Sequence, residues 1–417
     1  MRIQFARCRR VFVASTLVVA STSALVVAQA DNFSPETRYC DGAAFAGTGE
    51  GAASQLSIHS NLFAPEFASK CPIEGGLINY LGTSAPAGVR GLTNRFIPFA
   101  GTDVALTSAE KALMEGNFNR PSPVHQIPIF VDGYAIAYNL PCVGPSVNLS
   151  SKALALVYSG VITKWNHELI VADNRWLATC SSSIRLTKRA DSSGATDTFQ
   201  DYLAKRNPEW LPYSREALSA WPTLNFACSG FGDEGMVSCI SSRPGAIGYV
   251  KMSVAAANGL PVANVQNSTL SFVGPSAAGC SAAASAAIIP PGASISMAPP
   301  QVGAIVGPAP PQWPATLGDW SVATMTDAPD DVLGGKSYPI CSFGYAIMFQ
   351  SWFNAYAGTL NGKIARSMID YFTVALSDST QVRLTEFGLA PLPPRIRGIG
   401  RDGLNSISFR NFTPLGF

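Results

Sequence analysis

The chain has few charged residues and very few histidines. Of its 417 residues, 13% are Asp, Glu, Lys or Arg, the net charge is +2 at pH 7, and only three residues are histidine. A near-neutral chain without a basic run beyond its N-terminal segment is poorly suited to binding nucleic acid or an anionic membrane. The sequence also has no Cys-x-x-Cys pair, so we expect neither a metal site nor a cofactor.

Only one long apolar run occurs, and it lies at the N-terminus. Four arginines in the first ten residues precede the apolar stretch 11–27, which is followed by Ala28-Gln29-Ala30. A basic start, an apolar centre and an Ala-x-Ala sequence are typical of a cleavable signal peptide. We therefore expect cleavage after Ala30 and a periplasmic or secreted protein. The pair Arg9-Arg10 leaves twin-arginine export open beside the general secretory route.

The cysteines fit an exported protein. Nine are present, and Cys8 belongs to the predicted signal peptide. An even number in the exported chain favours disulfide bonds. Spacing suggests a local bond between Cys228 and Cys239, whereas the other pairings do not follow from the sequence. The remaining cysteines are Cys40, Cys71, Cys142, Cys180, Cys280 and Cys341.

Apolar segments alternate with helical patterns along most of the chain, which predicts an α/β protein with largely parallel sheets. Because the exported chain is longer than a single hydrophobic core usually accommodates, we expect two domains. The glycine-rich residues 47–51 are expected to form a loop, and residues 273–329 form an insert dominated by Ala, Gly, Ser and Pro. The predicted strands are 77–81, 95–100, 127–131, 134–140, 185–188 and 246–250, and the predicted helices are 107–114, 151–158 and 365–376.

The run from Lys188 to Phe199 gives the strongest functional signal. A predicted strand, 184–187, leads to Arg189 and a turn of small residues, and a helix is expected from Thr198. A strand, a turn and a helix N-terminus present backbone N–H groups, hydroxyls and a helix dipole to one point. The arginine adds a forked donor that is always charged. The run therefore predicts a site for a tetrahedral oxyanion, with phosphate as the first candidate.

The Arg189 run is one of eight segments whose order and spacing match one protein family. The others are 64–67, 99–107, 127–141, 158–166, 244–250, 338–340 and 389–393. Together they resemble PstS-type phosphate-binding proteins of ABC importers and their DING-like relatives. The resemblance covers roughly residues 60–255 and 335–395.

The resemblance implies a type II-like periplasmic-binding-protein fold. Two α/β lobes would be joined by two crossover strands that act as a hinge, with phosphate in the cleft between the lobes. Lobe 1 would hold residues 31–133 and 339–417, lobe 2 would hold residues 134–338 with the insert, and the crossovers would lie near Gly133 and Pro339. The protein would be a monomer that delivers phosphate to an ABC permease at the inner membrane.

The resemblance also assigns the residues of the Arg189 run. Arg189 would bind phosphate oxygens with its guanidinium fork, and Asp191 would orient that fork. Ser193 would supply a hydroxyl donor, and Gly194 would let the backbone approach the anion closely. Ala195 stands where the family usually has threonine, so only its N–H remains as a donor, and the next residue, Thr196, is a possible substitute.

The other half of the predicted site lies earlier in the chain. Asp103 would accept a hydrogen bond from protonated phosphate, which sulfate cannot donate, and would thereby exclude sulfate. The family serine aligns with Ala85, and a shift of one residue offers Ser84. The family Thr-Phe pair aligns with Asn61 and Leu62. These departures leave a phosphate ester open as the ligand.

Two other functions compete with a phosphate receptor. A secreted phosphatase on the same fold would need an activated nucleophile or paired metals, yet the Ser193 motif contains no histidine. An extracellular adhesion or scavenging protein would use the insert 273–329 as its contact surface. We expect no enzymatic activity and therefore no catalytic residues.

Overall fold

The computed structural model describes residues 47–72, 78–116, 122–213, 221–222, 224–290, 314–320, 323, 325, 335–356 and 362–409. The predicted signal peptide and the middle of the insert lie outside these residues. No helix within these ranges is long and apolar enough to cross a membrane.

Eleven strands form two sheets in the described residues. An eight-stranded sheet has the order β2-β1-β3-β11-β4-β8-β6-β7, and a three-stranded sheet has the order β10-β9-β5. The strands are β1 Gly47–Gly51, β2 Ile78–Gly82, β3 Ala100–Thr102, β4 Val124–Asn139, β5 Asn148–Leu149, β6 Arg185–Arg189, β7 Cys228–Gly230, β8 Ala246–Lys251, β9 Asn264–Gln266, β10 Phe272–Val273 and β11 Cys341–Phe349.

Helices follow most of the strands. Several begin at a serine whose hydroxyl accepts a hydrogen bond from the first turn, among them Ser84, Ser150 and Ser193. The helices in the described residues are α1 Leu56–Ile58, α2 Ala64–Lys70, α3 Ala85–Thr93, α4 Ser108–Gly116, α5 Ser151–Tyr158, α6 Glu168–Asp173, α7 Gly194–Arg206, α8 Gly232–Ser241, α9 Met252–Ala257, α10 Ala277–Ser285, α11 Trp352–Tyr356, α12 Gly362–Ala375, α13 Asp378–Gln381 and α14 Pro394–Asn405.

The long strand β4 joins two halves of the large sheet. Its residues from Val124 to Gly133 pair with β11, and those from Tyr134 to Asn139 pair with β8. We call β2, β1, β3, β11 and the first part of β4 the first half-sheet, and the second part of β4 with β8, β6 and β7 the second half-sheet. The two strands predicted around Gly133 are therefore one continuous strand.

The expectation of largely parallel sheets holds only for the outer strands. β1 pairs in parallel with β2 and β3, and β6 pairs in parallel with β7 and β8. The central pairs β3–β11, β4–β11 and β4–β8 are antiparallel. The sheet is therefore mixed, because β4 and β11 run in opposite directions through its centre.

The glycine-rich residues 47–51 form strand β1, so the predicted loop was wrong. A Cβ at Gly49 would lie 2.1 Å from the Phe99 ring, and one at Gly51 would lie 2.1 Å from the Gly101 carbonyl oxygen. Glycine is required here because β1 passes close to its neighbours. Composition alone indicated a loop, whereas the glycines serve close packing within a strand.

Two predicted boundaries shift. The strand predicted at 95–100 begins only at Ala100, since Arg95 has a φ of 62° and residues before Ala100 form turns. The helix expected from Thr198 begins at Gly194. By contrast, α5 is confirmed at the predicted residues, and α4 follows a capping box in which Thr107 and Glu110 satisfy each other's N–H groups.

The buried histidines are structural. His59 stacks on Tyr80 with ring centroids 4.3 Å apart, and its Nδ1 is 2.8 Å from the Tyr371 hydroxyl. Burial lowers the pKa of His59 to about 3, so the ring stays neutral. His125 is fully buried between Thr316 and Ser406. Neither ring faces the large cavity described below.

Three complete disulfide bonds lie in the described residues. They join Cys142 to Cys180, Cys228 to Cys239, and Cys280 to Cys341. The predicted Cys228–Cys239 bond is thereby confirmed. Cys280–Cys341 ties α10 to the start of β11, and a Cβ on Gly133 would lie 2.6 Å from the Cys280 sulfur. This bond therefore sits where β4 changes its pairing partner.

Replacing both Cys280 and Cys341 by alanine is expected to lower the free energy of unfolding by about 2–4 kcal/mol, because the bond closes a loop with a sequence separation of 61. Urea unfolding measures the loss. The matched control replaces Cys228 and Cys239, whose separation is 11, and is expected to lose less. An equal or larger loss in the control would contradict the loop-length argument.

Candidate functional site

A cavity of about 820 Å³ opens at one edge of the large sheet. Parallel strands end at the same edge, so the residues that follow β1, β2 and β3 meet there, and those that follow or end β6, β7 and β8 meet opposite them. Both half-sheets therefore contribute to the lining.

Arg189 is the last residue of β6 and lies in this cavity with 9% of its side chain exposed. Its Nε and Nη2 donate to Asp191 at 2.8 and 2.6 Å, and its Nη1 donates to Asp233 at 3.0 Å. Three of its five N–H groups are used in these bonds, which leaves two for a ligand. The carboxylates thus fix the plane of the guanidinium.

The charges of this cluster stabilise one another. Burial lowers the pKa of Arg189, but the bonds and charges of Asp191 and Asp233 outweigh burial and raise it above its usual value. Burial likewise raises the pKa of Asp191, yet Arg189 and the Gly232 N–H, which donates to Asp191 at 3.1 Å, bring it below the usual range. Both groups remain charged at neutral pH.

The N-terminus of α7 lies beside Arg189. Ser193 caps the helix, and its hydroxyl accepts from the Ala195 N–H at 3.2 Å. Gly194 lies against the opposite side of the cavity, since a Cβ there would be 2.7 Å from the Asp103 Cβ. The dipole of helix α7 places partial positive charge at this N-terminus, which attracts an anion in the cavity.

Asp103 follows β3 and faces α7 from the first half-sheet. Its Oδ2 accepts from the Ser54 hydroxyl at 2.5 Å. Its Oδ1 is buried and has no hydrogen-bond partner in the part of the chain that the structure describes. Burying a carboxylate oxygen without a hydrogen-bond donor costs free energy. This atom is therefore suited to accept a hydrogen bond from a ligand oxygen that carries a proton.

Two more helical N-termini border the cavity from the first half-sheet. Ser84 caps α3 and accepts from the Ala87 N–H at 3.2 Å, and Ala85 begins that helix. Ala53 and Ser54 lie in a short 3₁₀ turn after β1. These segments place Ala53, Ser54, Ser84 and Ala85 in the cavity lining.

The structure brings eight of the eleven sequence-predicted site residues to the cavity lining. These are Ser84, Ala85, Asp103, Arg189, Asp191, Ser193, Gly194 and Ala195. Thr196 is turned away, with its hydroxyl 2.8 Å from that of Tyr249. Asn61 is exposed and donates to Ser57, and Leu62 is fully buried in the core. Ala53 and Ser54 belong to the lining instead.

Sequence reasoning missed other lining residues, among them Tyr134, Asp233 and Lys251. Lys251 ends β8, and its ammonium forms an ion pair with Asp132. Tyr134 lies opposite Lys251 in the β4–β8 register. Its buried hydroxyl has no well-formed hydrogen bond among the described residues, and the nearby Ser342 hydroxyl donates instead to the Asp103 carbonyl at 3.0 Å. Lys251 directly follows a predicted strand, and this position at the end of a strand was the sequence signal that could have indicated a lining residue.

The cavity combines oxyanion donors with several carboxylates. Its lining contains two cations, Arg189 and Lys251, and the carboxylates Asp103, Glu110, Asp191, Asp197 and Asp233. No histidine belongs to the lining, and the described residues hold no group of three or more His, Cys, Asp or Glu side chains that could bind a metal. The arrangement is suited to bind a protonated oxyanion.

Comparison with known proteins identifies relatives in sequence. The profile of the PBP superfamily domain matches residues 41–360. The phosphate-binding protein PstS of Xylella fastidiosa strain 9a5c is 31% identical over 329 residues, which is 77% of this chain and 76% of that protein. The phosphate-binding protein PstS3 of Mycobacterium bovis strain BCG is 31% identical over 207 residues, which is 49% of this chain and 54% of that protein.

Solved structures show the same fold. The periplasmic phosphate-binding protein PfluDING, solved with phosphate bound, matches 89% of this chain and 100% of its own with a TM-score of 0.57 and 21% identity. A phosphate-binding protein from Stenotrophomonas maltophilia matches 86% of this chain and 93% of its own with a TM-score of 0.56 and 17% identity. The predicted two-lobed periplasmic-binding-protein fold is thereby confirmed.

Proposed function

We propose that this chain, which belongs to the PBP superfamily and within it to the PstS family of phosphate-binding proteins, binds inorganic phosphate in the cavity between its two lobes. The bound phosphate would then be delivered to an ABC permease. We assign residues 31–133 and 339–417 to lobe 1 and residues 134–338 to lobe 2, so that the hinge lies near Gly133 and Pro339.

One observation carries the proposal. Arg189 and the α7 N-terminus, which attract an anion, face Asp103, whose free Oδ1 can accept a hydrogen bond, and Gly194 of α7 lies in contact with Asp103. An anion held between them must carry both negative charge and a proton. Hydrogenphosphate meets both requirements at neutral pH, whereas sulfate has no proton to donate to Asp103 Oδ1.

Each half of the site would contribute differently to binding. Lobe 2 would supply Arg189, fixed by Asp191, together with Ser193 and the N–H groups of Gly194 and Ala195. Lobe 1 would supply Asp103 and the N-terminus of α3 at Ser84 and Ala85. Closure of the lobes about the hinge brings the two sets onto one ligand, and closure of this kind is common among binding proteins of this class.

The family and the predicted signal peptide also indicate where the protein acts. We propose a monomeric receptor, exported by its predicted signal peptide to the periplasm or beyond, that releases phosphate to a permease at the inner membrane. Catalysis is not part of the proposal, because the described cavity offers no histidine beside Ser193 and no metal-binding cluster. The adhesion alternative depends on the insert, whose middle lies outside the described residues.

Calorimetric titration of the mature, phosphate-stripped protein tests the proposal. Near pH 7 we expect phosphate to bind with micromolar or tighter affinity and sulfate to give no binding heat. Equal affinity for both anions would refute the assigned role of Asp103. An absence of phosphate binding would refute the proposed function, and phosphate esters would become the next ligands to test.

A further inference from the structure

We infer that Lys251 is a second cation that contacts the bound phosphate, held in place by Asp132 at the hinge. This inference rests on the proposed function and extends it to a residue that the sequence comparison did not point to. Lys251 is the last residue of β8, lines the cavity and keeps 14% of its side chain exposed. The cavity therefore has a cation on the hinge side in addition to Arg189.

Asp132 holds this ammonium in one position. The carboxylate is 1% exposed, its Oδ2 contacts the Lys251 Nζ, and its Oδ1 accepts from the Gly133 N–H at 2.9 Å. Both carboxylate oxygens are therefore occupied, and Gly133 is the residue at which β4 passes from β11 to β8. A partner fixed in this way holds the Lys251 ammonium in one position through a single hydrogen bond.

Lys251 has donors left over. An ammonium carries three N–H groups, and Asp132 accepts from one of them. No other acceptor lies within hydrogen-bond distance of Nζ in the described residues. Because Lys251 lines the cavity, these two N–H groups are open to a ligand there. The buried hydroxyl of Tyr134, opposite Lys251 in the strand register, is a second unused donor on the same side.

Charges on both sides of the cavity act on Lys251. Burial lowers its pKa, but the charges of Asp132, Asp103 and Asp233 outweigh burial and raise it above its usual value. The group is therefore charged at any physiological pH, and it lies within electrostatic reach of Asp103 on one half-sheet and Asp233 on the other. A dianion placed between Asp103 and Arg189 would bring opposite charge to Lys251.

A second cation also supplies positive charge that a dianionic ligand needs at this site. Arg189 is paired with two carboxylates, Asp191 and Asp233, before a ligand arrives. Lys251 is paired with one, Asp132, so less of its charge is compensated. A dianionic phosphate next to Asp103 needs further positive charge. An ion pair that served only stability could be replaced by apolar residues at little cost, whereas a lysine at the cavity wall can add a charged hydrogen bond to the ligand.

The test is phosphate titration of four proteins: the unaltered chain, Lys251→Met, the double variant Lys251→Met/Asp132→Asn, and the control Lys152→Met. Lys152 is exposed on α5, so its replacement removes the same charge away from the cavity and is expected to leave the affinity unchanged. Lys251→Met is expected to weaken phosphate binding by about 10- to 100-fold, the usual loss for a charged hydrogen bond.

The double variant separates a ligand contact from a structural ion pair. It leaves neither a buried carboxylate nor a buried ammonium unpaired, so we expect it to fold even if the single variant does not. If Lys251 contacts phosphate, the double variant still binds at least about tenfold more weakly than the unaltered chain. Recovery to within about threefold would overturn the inference, because Lys251 would then act only by neutralising Asp132.

The remaining outcomes separate this inference from the function on which it rests. If the unaltered chain binds phosphate and Lys251→Met binds within about threefold of it, the inference about Lys251 is wrong while the phosphate-receptor proposal stands. If the unaltered chain binds no phosphate, both are wrong.

Discussion

Replacing Gly194 by alanine is expected to weaken phosphate binding by about 100-fold while leaving the protein folded. The added Cβ would lie 2.7 Å from the Asp103 Cβ, closer than two carbon atoms can approach without displacement. Because the Asp103 Cβ is fixed to the backbone, the clash cannot be relieved by rotating a side chain. The two sides of the cavity must therefore separate, and a misplacement on the order of 1 Å can cost about two orders of magnitude in function.

The helix that begins at Gly194 gains from the same change. Alanine is favoured over glycine in a helix by roughly 0.5–1 kcal/mol, so the midpoint of thermal unfolding without phosphate is expected to stay the same or rise. Loss of affinity in a protein of undiminished stability would show that the lobes fold normally and fail to close. Calorimetric titration and a thermal melt on the same sample measure both quantities.

Gly398 provides the matched control for this variant. It lies in α14, and a Cβ at its position would meet no atom within 4 Å. Gly398→Ala is therefore expected to change the helix as Gly194→Ala does, but to leave the phosphate affinity within about twofold of the unaltered chain. Unchanged affinity in Gly194→Ala would mean that phosphate binds without the approach of Asp103 to α7.

The part of the site formed by contiguous residues could be predicted from the sequence. Arg189, Asp191, Ser193 and Gly194 lie within one strand–turn–helix, so local pattern was sufficient to bring them together. Asp103 was assigned through the family resemblance and not from a local pattern. In the Arg189 run the chemistry follows from residues whose relative positions are set by short-range structure.

The residues that were missed depend on long-range pairing. Tyr134 and Lys251 face each other only because β4 pairs with β8, and Asp132 reaches Lys251 only because β4 continues unbroken past Gly133. A sequence does not display this register. Each of these residues lies in a segment predicted as a strand or at its end, yet nothing local indicated that the three would meet.

Asn61 and Leu62 lie outside the cavity lining for a different reason. The alanine and proline that follow them directed the alignment, while the true strand before the site, β1, was hidden by its glycines. Once β1 is recognised, Ala52, Ala53 and Ser54 follow it just as the turn residues follow β6, and Ser54 reaches Asp103. Recognising the close approach of Gly51 to Gly101 was therefore the missing step.

Replacing Asp103 by asparagine is expected to remove most of the discrimination between phosphate and sulfate. In the unaltered chain, Oδ1 accepts and cannot donate, so a sulfate oxygen beside it would bury two acceptors against each other. An asparagine amide can donate to that oxygen. We expect sulfate binding to become measurable and to approach phosphate binding within about tenfold, whereas the unaltered chain should show no sulfate binding heat.

The control for this variant is Glu110→Gln, which removes a different carboxylate from the cavity lining. If negative charge alone excluded sulfate, both variants would bind sulfate equally. If the hydrogen bond from ligand to carboxylate is responsible, only Asp103→Asn gains sulfate binding, because Glu110 is engaged with Thr107 at the start of α4. Titration of both variants with both anions at one pH separates the two causes. Selectivity that survives in Asp103→Asn would refute the role of this carboxylate and place discrimination with the donors around Arg189.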